Sequence, residues 1–354
     1  MYRAIVLDTR RKEGGMELIA GIDLHSDNGY YGIINEEGER VFRKRLPNHL
    51  PTILSALRPF QAHLKSIVVE STYNWYWLVD GLMENGYEAH LANPAGIEQY
   101  DGLKHGDDKT DAFFLAELMR LRILPEGYIY PKEERPVRDL LRRRMMLVQQ
   151  RTSHILSFQG LMSRQTGTGI SCDHVKKLGE EDVQGLLGEE YVVLAGRTNI
   201  ATIRFLTEKI RVLEWAALKR VKLKPEYEKL MTVPGIGIIL ALTIMLETGD
   251  IQRFPGPGNY ASYCRCVKAK RISNSKKKKK KGNQKNGNKY LSWAYVEAAN
   301  FAKRHCPEAK RFFQRKMAKA NQVLATKALA CKLAKACYFI MRDRVDFDTK
   351  KIFG

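Results

Sequence analysis

Two short apolar runs dominate the hydrophobic pattern near the start of the chain. Residues 18–24 read Leu-Ile-Ala-Gly-Ile-Asp-Leu, and a second β-type run follows a polar turn at 30–34. Apolar runs of this length, bounded by turn residues, predict buried strands that pair as a hairpin. Asp23 interrupts the first run. A carboxylate in a buried strand is costly unless it is paired or binds a metal, so Asp23 is a candidate functional residue.

The next hundred residues alternate between strand-like and helix-like patterns. After the hairpin the pattern predicts, in order, a strand at 41–46, a helix at 48–59, a strand at 65–70, a helix at 73–85, a strand at 87–92 and a helix at 107–124. The order β-β-β-α-β-α-β-α predicts a mixed sheet with helices packed on it. We assign this α/β domain to residues 16–130, after an N-terminal extension at 1–15.

From Pro136 the apolar period changes to that of long helices. One set of apolar residues recurs every seven positions and a second set follows a three-four spacing: Leu141, Val148, Ile155 and Met162, then Ile203, Leu206, Ile210 and Leu213. A polar, glycine-containing stretch at 165–196 separates them. The pattern predicts an antiparallel coiled-coil arm within residues 131–225, with two ordinary core helices as the alternative.

A third, helical region covers residues 226–345, with a tail at 346–354. The sequence Val-Pro-Gly-Ile-Gly, 233–237, lies between helices predicted at 225–232 and 238–247, and three more helices are predicted at 289–304, 308–322 and 324–342. The turn is similar to that of helix-hairpin-helix modules, where glycines such as Gly235 and Gly237 let backbone N–H groups approach a DNA phosphate. The alternative is a turn that only packs two helices together.

The charge of the chain points to a polyanionic partner. Sixty Lys and Arg residues against 39 Asp and Glu residues give a net charge of +21. This charge favours a protein that binds nucleic acid over one that is merely basic. No segment contains 18 consecutive apolar residues, so no membrane span is predicted. The charged N-terminus, residues 1–21, lacks the apolar core of a signal peptide. We therefore expect a cytoplasmic protein without a membrane partner.

The basic residues are densest in a segment at 265–289, which we expect to be a loop. It contains six consecutive lysines at 276–281, which repel one another and resist burial. A solvated run is one interpretation, and contact with phosphates is the other. The residues expected to bind nucleic acid here are Lys270, Arg271, Lys276, Lys277, Lys278 and Lys285.

Four acids occupy positions that suit a metal site. Asp23 lies inside the first predicted strand and Glu70 ends the fourth, while Asp108 and Asp111 begin a helix and share one face of it. Carboxylate oxygens are the ligands that Mg²⁺ prefers, and metals held this way can clamp a phosphodiester for in-line attack. Asp107 is an alternative to Asp108. Without the strand acids, Asp108 and Asp111 would be interpreted as helix-capping residues.

Six motifs together resemble one family of proteins. They are GIDLHS at 21–26, IVVES at 67–71, DDKTDA at 107–112, VPGIG at 233–237, RFPGPGNYASYC at 253–264 and KNGNKYL at 285–291. In this order and spacing, over residues 17–345, they resemble the insertion-sequence-110 family of DEDD transposases. Members of that family are guided by a bridge RNA and are related to the Piv DNA invertases.

The resemblance implies a fold and an activity. The implied fold is an α/β RNase H-like (RuvC-like) N-terminal domain, a coiled-coil insert and an all-α C-terminal transposase domain. The family's metal acids match Asp23, Glu70, Asp108 and Asp111, with Mg²⁺ as cofactor, and its serine nucleophile matches Ser273, with Ser275 as a rival. The implied partners are double-stranded donor and target DNA, a guide RNA and further copies of the chain, as a dimer or tetramer.

Two other functions are compatible with parts of the pattern. A hydrolytic RuvC-like nuclease or Holliday-junction resolvase would use the four acids and water and would need no serine. A nucleic-acid-binding protein with a decayed catalytic site would need neither the four acids nor the serine. The presence of the four acids argues against this function. A covalent protein–DNA adduct distinguishes the serine mechanism from both.

Overall fold

The computed structural model describes residues 17–97, 108–220, 224–267, 272–273, 276–277 and 286–354. The chain divides into two compact units, and the division falls after Tyr130. The N-terminal unit holds the described residues up to Tyr130 together with Asn286, and the C-terminal unit holds the others. Within the described ranges, no helix is both long enough and apolar enough to cross a membrane.

A six-stranded mixed sheet forms the centre of the N-terminal unit. Its strands are β1 (Leu18–Leu24), β2 (Asn28–Ile34), β3 (Arg40–Pro47), β4 (Leu64–Glu70), β5 (Ala89–Ala92) and β6 (Glu126–Gly127), in the order β3-β2-β1-β4-β5-β6. β1, β4 and β5 run parallel, while β2 and β3 continue the sheet antiparallel on one side and β6 does so on the other. The predicted mixed sheet is confirmed. The two-residue strand β6 is an addition that has too few residues for a sequence pattern.

Helices cover both faces of this sheet. They are α1 (Leu50–Leu57), α2 (Tyr76–Glu84) and α3 (Asp108–Arg120), with 3-10 turns at Arg58–Phe60 and Pro94–Gly96. α1 and α2 pack with the even-numbered residues of β1, such as Ile22, in one core. α3 packs on the opposite face, where Ala112, Phe113 and Ala116 contact β2 residues. Because side chains alternate along a strand, Asp23 is directed to the α3 face.

Gly21 brings α3 unusually close to the sheet. A Cβ atom at this position would overlap the carbonyl oxygen of Ala112 and lie 2.9 Å from the backbone nitrogen of Ala116. Both atoms belong to the helix backbone, which cannot yield as a flexible side chain can. The close approach of α3 to β1 therefore requires glycine at position 21.

Two long helices, which we call the arm, begin the C-terminal unit. They are α4 (Arg135–Thr166) and α7 (Glu190–Arg220), and the short helices α5 (Cys172–Val175) and α6 (Val183–Leu186) lie between them in sequence. Contacts pair Arg144 with Glu214, Arg151 with Thr207 and His154 with Asn199, so the two helices are antiparallel. Three of the four heptad positions in α4, Leu141, Ile155 and Met162, are buried.

Apart from one short hairpin described below, the remainder of the C-terminal unit is helical, which confirms the predicted helical C-terminal part. Its helices are α8 (Pro225–Met231), α9 (Ile238–Thr248), α10 (Pro257–Tyr263), α11 (Lys289–His305), α12 (Pro307–Met317), α13 (Gln322–Asp343) and α14 (Thr349–Phe353), with a 3-10 turn at Ile251–Arg253. They share one hydrophobic core that includes most of α9.

Two segments differ from the sequence expectation. The sequence predicts a tail at 346–354, but α14 forms there because Phe353 is buried, with its ring centroid 6.0 Å from that of Phe312. The sequence also predicts a loop at 265–289. Inside it, the strands β7 (Ile272–Ser273) and β8 (Lys276–Lys277) pair antiparallel as a short hairpin.

Candidate functional site

Asp23 and Glu70 lie beside each other on neighbouring parallel strands. The last registered pair of β1 and β4 is Ile22 with Val69, and the two acids follow it directly. Both carboxyl groups are directed to the α3 face, and a hydrogen bond joins them. Asp23 is almost fully buried, at 4% exposure, and Glu70 is half-buried. The structure therefore brings together the two strand acids that the sequence singled out.

The electrostatics of this pair favour a bound proton or cation. Burial, the hydrogen bond to Asp23 and the negative charges of Asp23 and Asp111 raise the pKa of Glu70 to about 7. Two carboxyl groups can share a hydrogen bond only while one of them carries a proton. A divalent cation would neutralise the same charge with oxygen ligands of the type that Mg²⁺ prefers. The donor set therefore fits the implied metal.

The helix acids are described only in part. Asp111 lies in the first turn of α3, close enough for its charge to act on Glu70. Asp108 begins α3, but its side chain lies outside the described residues, as does Asp107. Among the side chains that the structure does describe, no three of His, Cys, Asp or Glu form a metal-binding group. The four-acid metal site thus stays a prediction.

His25 belongs to this site and was not a candidate from the sequence. Its Nε2 lies 3.3 Å from Oδ2 of Asp23. The side-chain amides of Asn48 and Asn74 both donate to the His25 carbonyl oxygen, at 3.0 and 2.9 Å, which fixes the turn after β1. The signal in the sequence was its position two residues beyond a strand acid, inside the GIDLHS motif.

The two glycines of the Val-Pro-Gly-Ile-Gly turn have different surroundings. Gly235 has a φ of +87°, and a Cβ there would overlap the carbonyl oxygen of Ala298 in α11. Helix packing alone therefore accounts for Gly235. Gly237 precedes α9, and a Cβ there would have no neighbour within 4 Å among the described atoms. Its surroundings leave room for a ligand.

The structure describes only the backbone around the predicted nucleophile. Ser273 ends β7 and pairs with Lys276 in β8, and the neighbouring pair is Ile272 with Lys277. Of the other predicted residues in this segment, several lie outside the described residues: Lys270, Arg271, Ser275, Lys278 and Lys285. The hairpin places Ser273 directly beside the beginning of the lysine run.

A buried ionic cluster fixes the point where the basic segment rejoins the fold. Glu247 of α9, 2% exposed, accepts hydrogen bonds from Nε of Arg138 at 3.2 Å and from Nη2 of Arg142 at 2.8 Å. Nδ2 of Asn288 donates to the same carboxylate at 2.7 Å. Burial raises the pKa of Glu247, but these donors and charges outweigh it, and the pKa lies below its ordinary value. Sequence reasoning missed this cluster.

Asn288 connects the cluster to helix α11. Its Oδ1 accepts from the backbone nitrogens of Tyr290 and Leu291, which caps the helix, and its own backbone nitrogen donates to the Tyr263 carbonyl at 2.6 Å. The end of the KNGNKYL motif is thereby joined to α9, α10 and α4. The segment that carries Ser273 is therefore followed by a residue, Asn288, that several hydrogen bonds hold in place.

Comparison with known proteins gives matches along most of the chain. A family model described as "Transposase", for DEDD transposases of the IS110 type, matches residues 20–165. A second model, described as "Transposase IS116/IS110/IS902 family", matches residues 227–314. The transposase for insertion sequence element IS1111A of Coxiella burnetii (strain RSA 493 / Nine Mile phase I) is 24% identical over 315 residues, which are 86% of this chain and 83% of that protein.

Proposed function

Because the chain belongs to the IS116/IS110/IS902 family of transposases, we propose that it cuts and rejoins DNA with a carboxylate-bound Mg²⁺ and a serine nucleophile. The observation that carries this proposal is the hydrogen-bonded pair of Asp23 and Glu70, with the charge of Asp111 beside it. Two strand acids lie side by side, and the charge of a helix acid acts on one of them. Such a costly arrangement is typical of a functional site.

The acids would hold the metal and keep it at the sheet edge. Asp23 and Glu70 would contribute carboxylate oxygens from the strands, and Asp111 and Asp108 from α3. When bound, Mg²⁺ would polarise a phosphoryl oxygen and stabilise negative charge on the leaving oxygen. His25, whose Nε2 lies 3.3 Å from Asp23, would help to orient that carboxylate. The close packing of α3 at Gly21 would keep the acids of that helix near the strand acids.

The strand order supports a RuvC-like, RNase H-like fold for the N-terminal unit. The antiparallel strands β2 and β3 lie on one side of β1, and the parallel strands β4 and β5 lie on the other. This order puts the carboxyl ends of β1 and β4 at the same edge. Acids at these two strand ends necessarily become neighbours, as the RNase H-like arrangement requires.

Ser273 supplies the covalent step in this proposal. Its Oγ attacks the phosphorus of a DNA phosphodiester, the bond from phosphorus to a deoxyribose oxygen breaks, and that oxygen takes a proton. A phosphoserine ester results and conserves the bond energy. A hydroxyl on another DNA end then attacks the ester, releases the serine and joins the strands. Ser273 is supported by its match to the family serine and by the hairpin beside Lys276.

The proposed partners are DNA, a guide RNA and further copies of the chain. The net charge of +21 supports binding to nucleic acid, and the family resemblance supports RNA guidance. The arm supports self-association as a dimer or tetramer, because α7 exposes Phe205, Val212 and Trp215 by more than half of their surface. In an assembly, one copy would supply the acids and another the serine for the same strand.

The test is a strand-exchange assay with the ends of the parent insertion element, the full-length protein and its co-purified RNA. We expect exchange in Mg²⁺ and none in EDTA. Asp23→Asn keeps the shape of the side chain but removes its charge, so exchange should fall at least 100-fold while nucleic-acid binding persists. Exchange by that variant at the wild-type rate, or undiminished exchange in EDTA, would refute the metal site.

A further inference from the structure

A basic groove lies in the arm, separate from the acids and from Ser273 in sequence. It has a volume of about 610 Å³ and is formed by α4, α7 and the α5 region. Five cationic side chains line it against only two carboxylates: Arg144, Arg151, Lys176, Lys177 and Arg211, with Asp173 and Glu214. Nothing in the proposed metal and serine chemistry uses these residues.

Both carboxylates in the groove are already paired. Arg144 donates from Nε and Nη2 to Oε1 of Glu214, at 2.8 and 2.6 Å. Nζ of Lys176 lies 3.1 Å from Oδ1 of Asp173. These two ion pairs leave three cations in the groove without a carboxylate partner among the described residues: Arg151, Lys177 and Arg211.

Arg151 is the most informative of the three. It is half-buried, its Nη1 donates to Oγ1 of Thr207 at 3.1 Å, and its Nε is buried without a hydrogen-bond partner among the described residues. Burial and the neighbouring charges of Arg144 and Arg211 lower the pKa of its guanidinium, and Glu214 offsets this only in part. An unbalanced charge at this depth is costly in the free protein, and an anion in the groove would reduce that cost.

We propose that this groove binds a backbone phosphate of duplex DNA. Arginine guanidinium groups bind phosphate oxygens through paired, charge-assisted hydrogen bonds, which fits Arg151 and Arg211 on facing helices. Lys177 adds a point charge at the rim. DNA is the natural source of the anion for a transposase with a net charge of +21. The inference rests on DNA as the substrate, and it is independent of Mg²⁺ and of Ser273.

The groove and the exposed apolar face of α7 are different surfaces. Phe205, Val212 and Trp215 are exposed on the same helix, yet none of them lines the groove. One arm can therefore associate with a second copy through its apolar residues and hold DNA through its basic groove.

The test measures binding of the full-length protein to fluorescent duplex DNA of arbitrary sequence in EDTA, over a range of salt concentrations. The variants are Arg151→Gln, Lys177→Gln, Arg211→Gln and the triple combination. The slope of log affinity against log salt should decrease by roughly 0.9 for each phosphate contact that is lost. Arg164→Gln is the control, because it removes an exposed arginine from α4 outside the groove.

The possible results distinguish a failure of the groove proposal from a failure of the proposed function. We expect the triple variant to bind DNA at least tenfold more weakly at 150 mM salt, with an unchanged melting temperature for the exposed Lys177→Gln and Arg211→Gln variants. An unchanged slope, or an equal loss for Arg164→Gln, would overturn the groove proposal and leave the proposed function intact. A wild-type protein that binds no DNA would overturn both this inference and the proposed function.

Discussion

Asp23 and Glu70 follow the last registered pair of two parallel strands, and their carboxyl groups are joined by a hydrogen bond. This single relationship explains why a buried strand of an otherwise apolar core contains an acid. The two side chains share a proton in the absence of a cation, with the negative charge of Asp111 nearby. In the proposed function, a divalent cation bound by these acids would replace that proton.

The first prediction concerns the pH dependence of stability in EDTA. The folded protein holds the Glu70 proton up to a pKa of about 7, above the ordinary value of 4.5. Between these values the folded state binds more protons than the unfolded chain, so the free energy of unfolding should fall as the pH rises. Denaturant titrations from pH 4 to 8 measure this decline, and Glu70→Gln should flatten it. Parallel curves for wild type and variant would contradict the shared proton.

The second prediction concerns Gly21. An alanine there would force α3 away from β1, because the atoms it meets are backbone atoms of Ala112 and Ala116. We expect a loss of about 1–3 kcal/mol in the free energy of unfolding, or more, and a loss of strand exchange.

A matched glycine serves as its control. Gly160 lies inside α4 and is exposed, and a Cβ atom there would have no described neighbour within 4 Å. Gly160→Ala should stabilise the protein by roughly 0.5–1 kcal/mol, since alanine is the better helix former. Equal stability of the two variants in thermal unfolding would show that the close approach of α3 is unimportant.

The third prediction concerns Glu247. Glu247→Gln removes the carboxylate that pairs with Arg138, whose side chain is only 7% exposed, and this should cost about 3–5 kcal/mol in the free energy of unfolding. Because the pKa of Glu247 is lowered in the fold, the wild-type contribution is complete at pH 7 and is lost only as the pH falls into the acid range. Denaturant titrations of wild type and variant at pH 7 measure the difference.

An exposed ion pair gives the comparison. Glu208 contacts Lys209 at 3.0 Å, and both side chains are largely exposed to solvent. Glu208→Gln should change the free energy of unfolding by less than about 1 kcal/mol. A loss for Glu247→Gln as small as this would mean that the cluster does not anchor the end of the basic segment.

The sequence carried enough information to predict the sheet and its two strand acids. Strand runs with a period of two, and a carboxylate inside one of them, are local signals. Parallel pairing then brings Asp23 and Glu70 to the same edge without further information. β6, α10 and α14 went unpredicted because they are short and their formation depends on tertiary packing, as at Phe353.

The partners in the buried ionic cluster could not be predicted from the sequence. Glu247 is a lone acid in the apolar helix α9, which is the same kind of signal as Asp23 in β1. Its partners Arg138 and Arg142 lie 109 and 105 positions earlier in the chain. Such pairings depend on how distant helices pack, and no local pattern indicates them.

The fourth prediction concerns the lysine run at 276–281. Replacing all six lysines by glutamine should weaken DNA binding and reduce the salt dependence, with a slope change of roughly 0.9 per phosphate contact that is lost. Fluorescence anisotropy over a salt series measures this. A slope identical to that of the wild type would show that the lysines are only solvated.

The proposed mechanism depends on a covalent bond between Ser273 and DNA. The most direct measurement is mass spectrometry of protein–DNA adducts trapped on DNA that is nicked near the cleavage site, so that strands cannot rejoin. We expect one phosphoserine adduct at Ser273 in Mg²⁺, its absence in Ser273→Ala and its persistence in Ser275→Ala. An adduct at Ser275 would move the nucleophile by two residues. Cleaved DNA ends that accumulate without any adduct would contradict the account and establish hydrolysis instead.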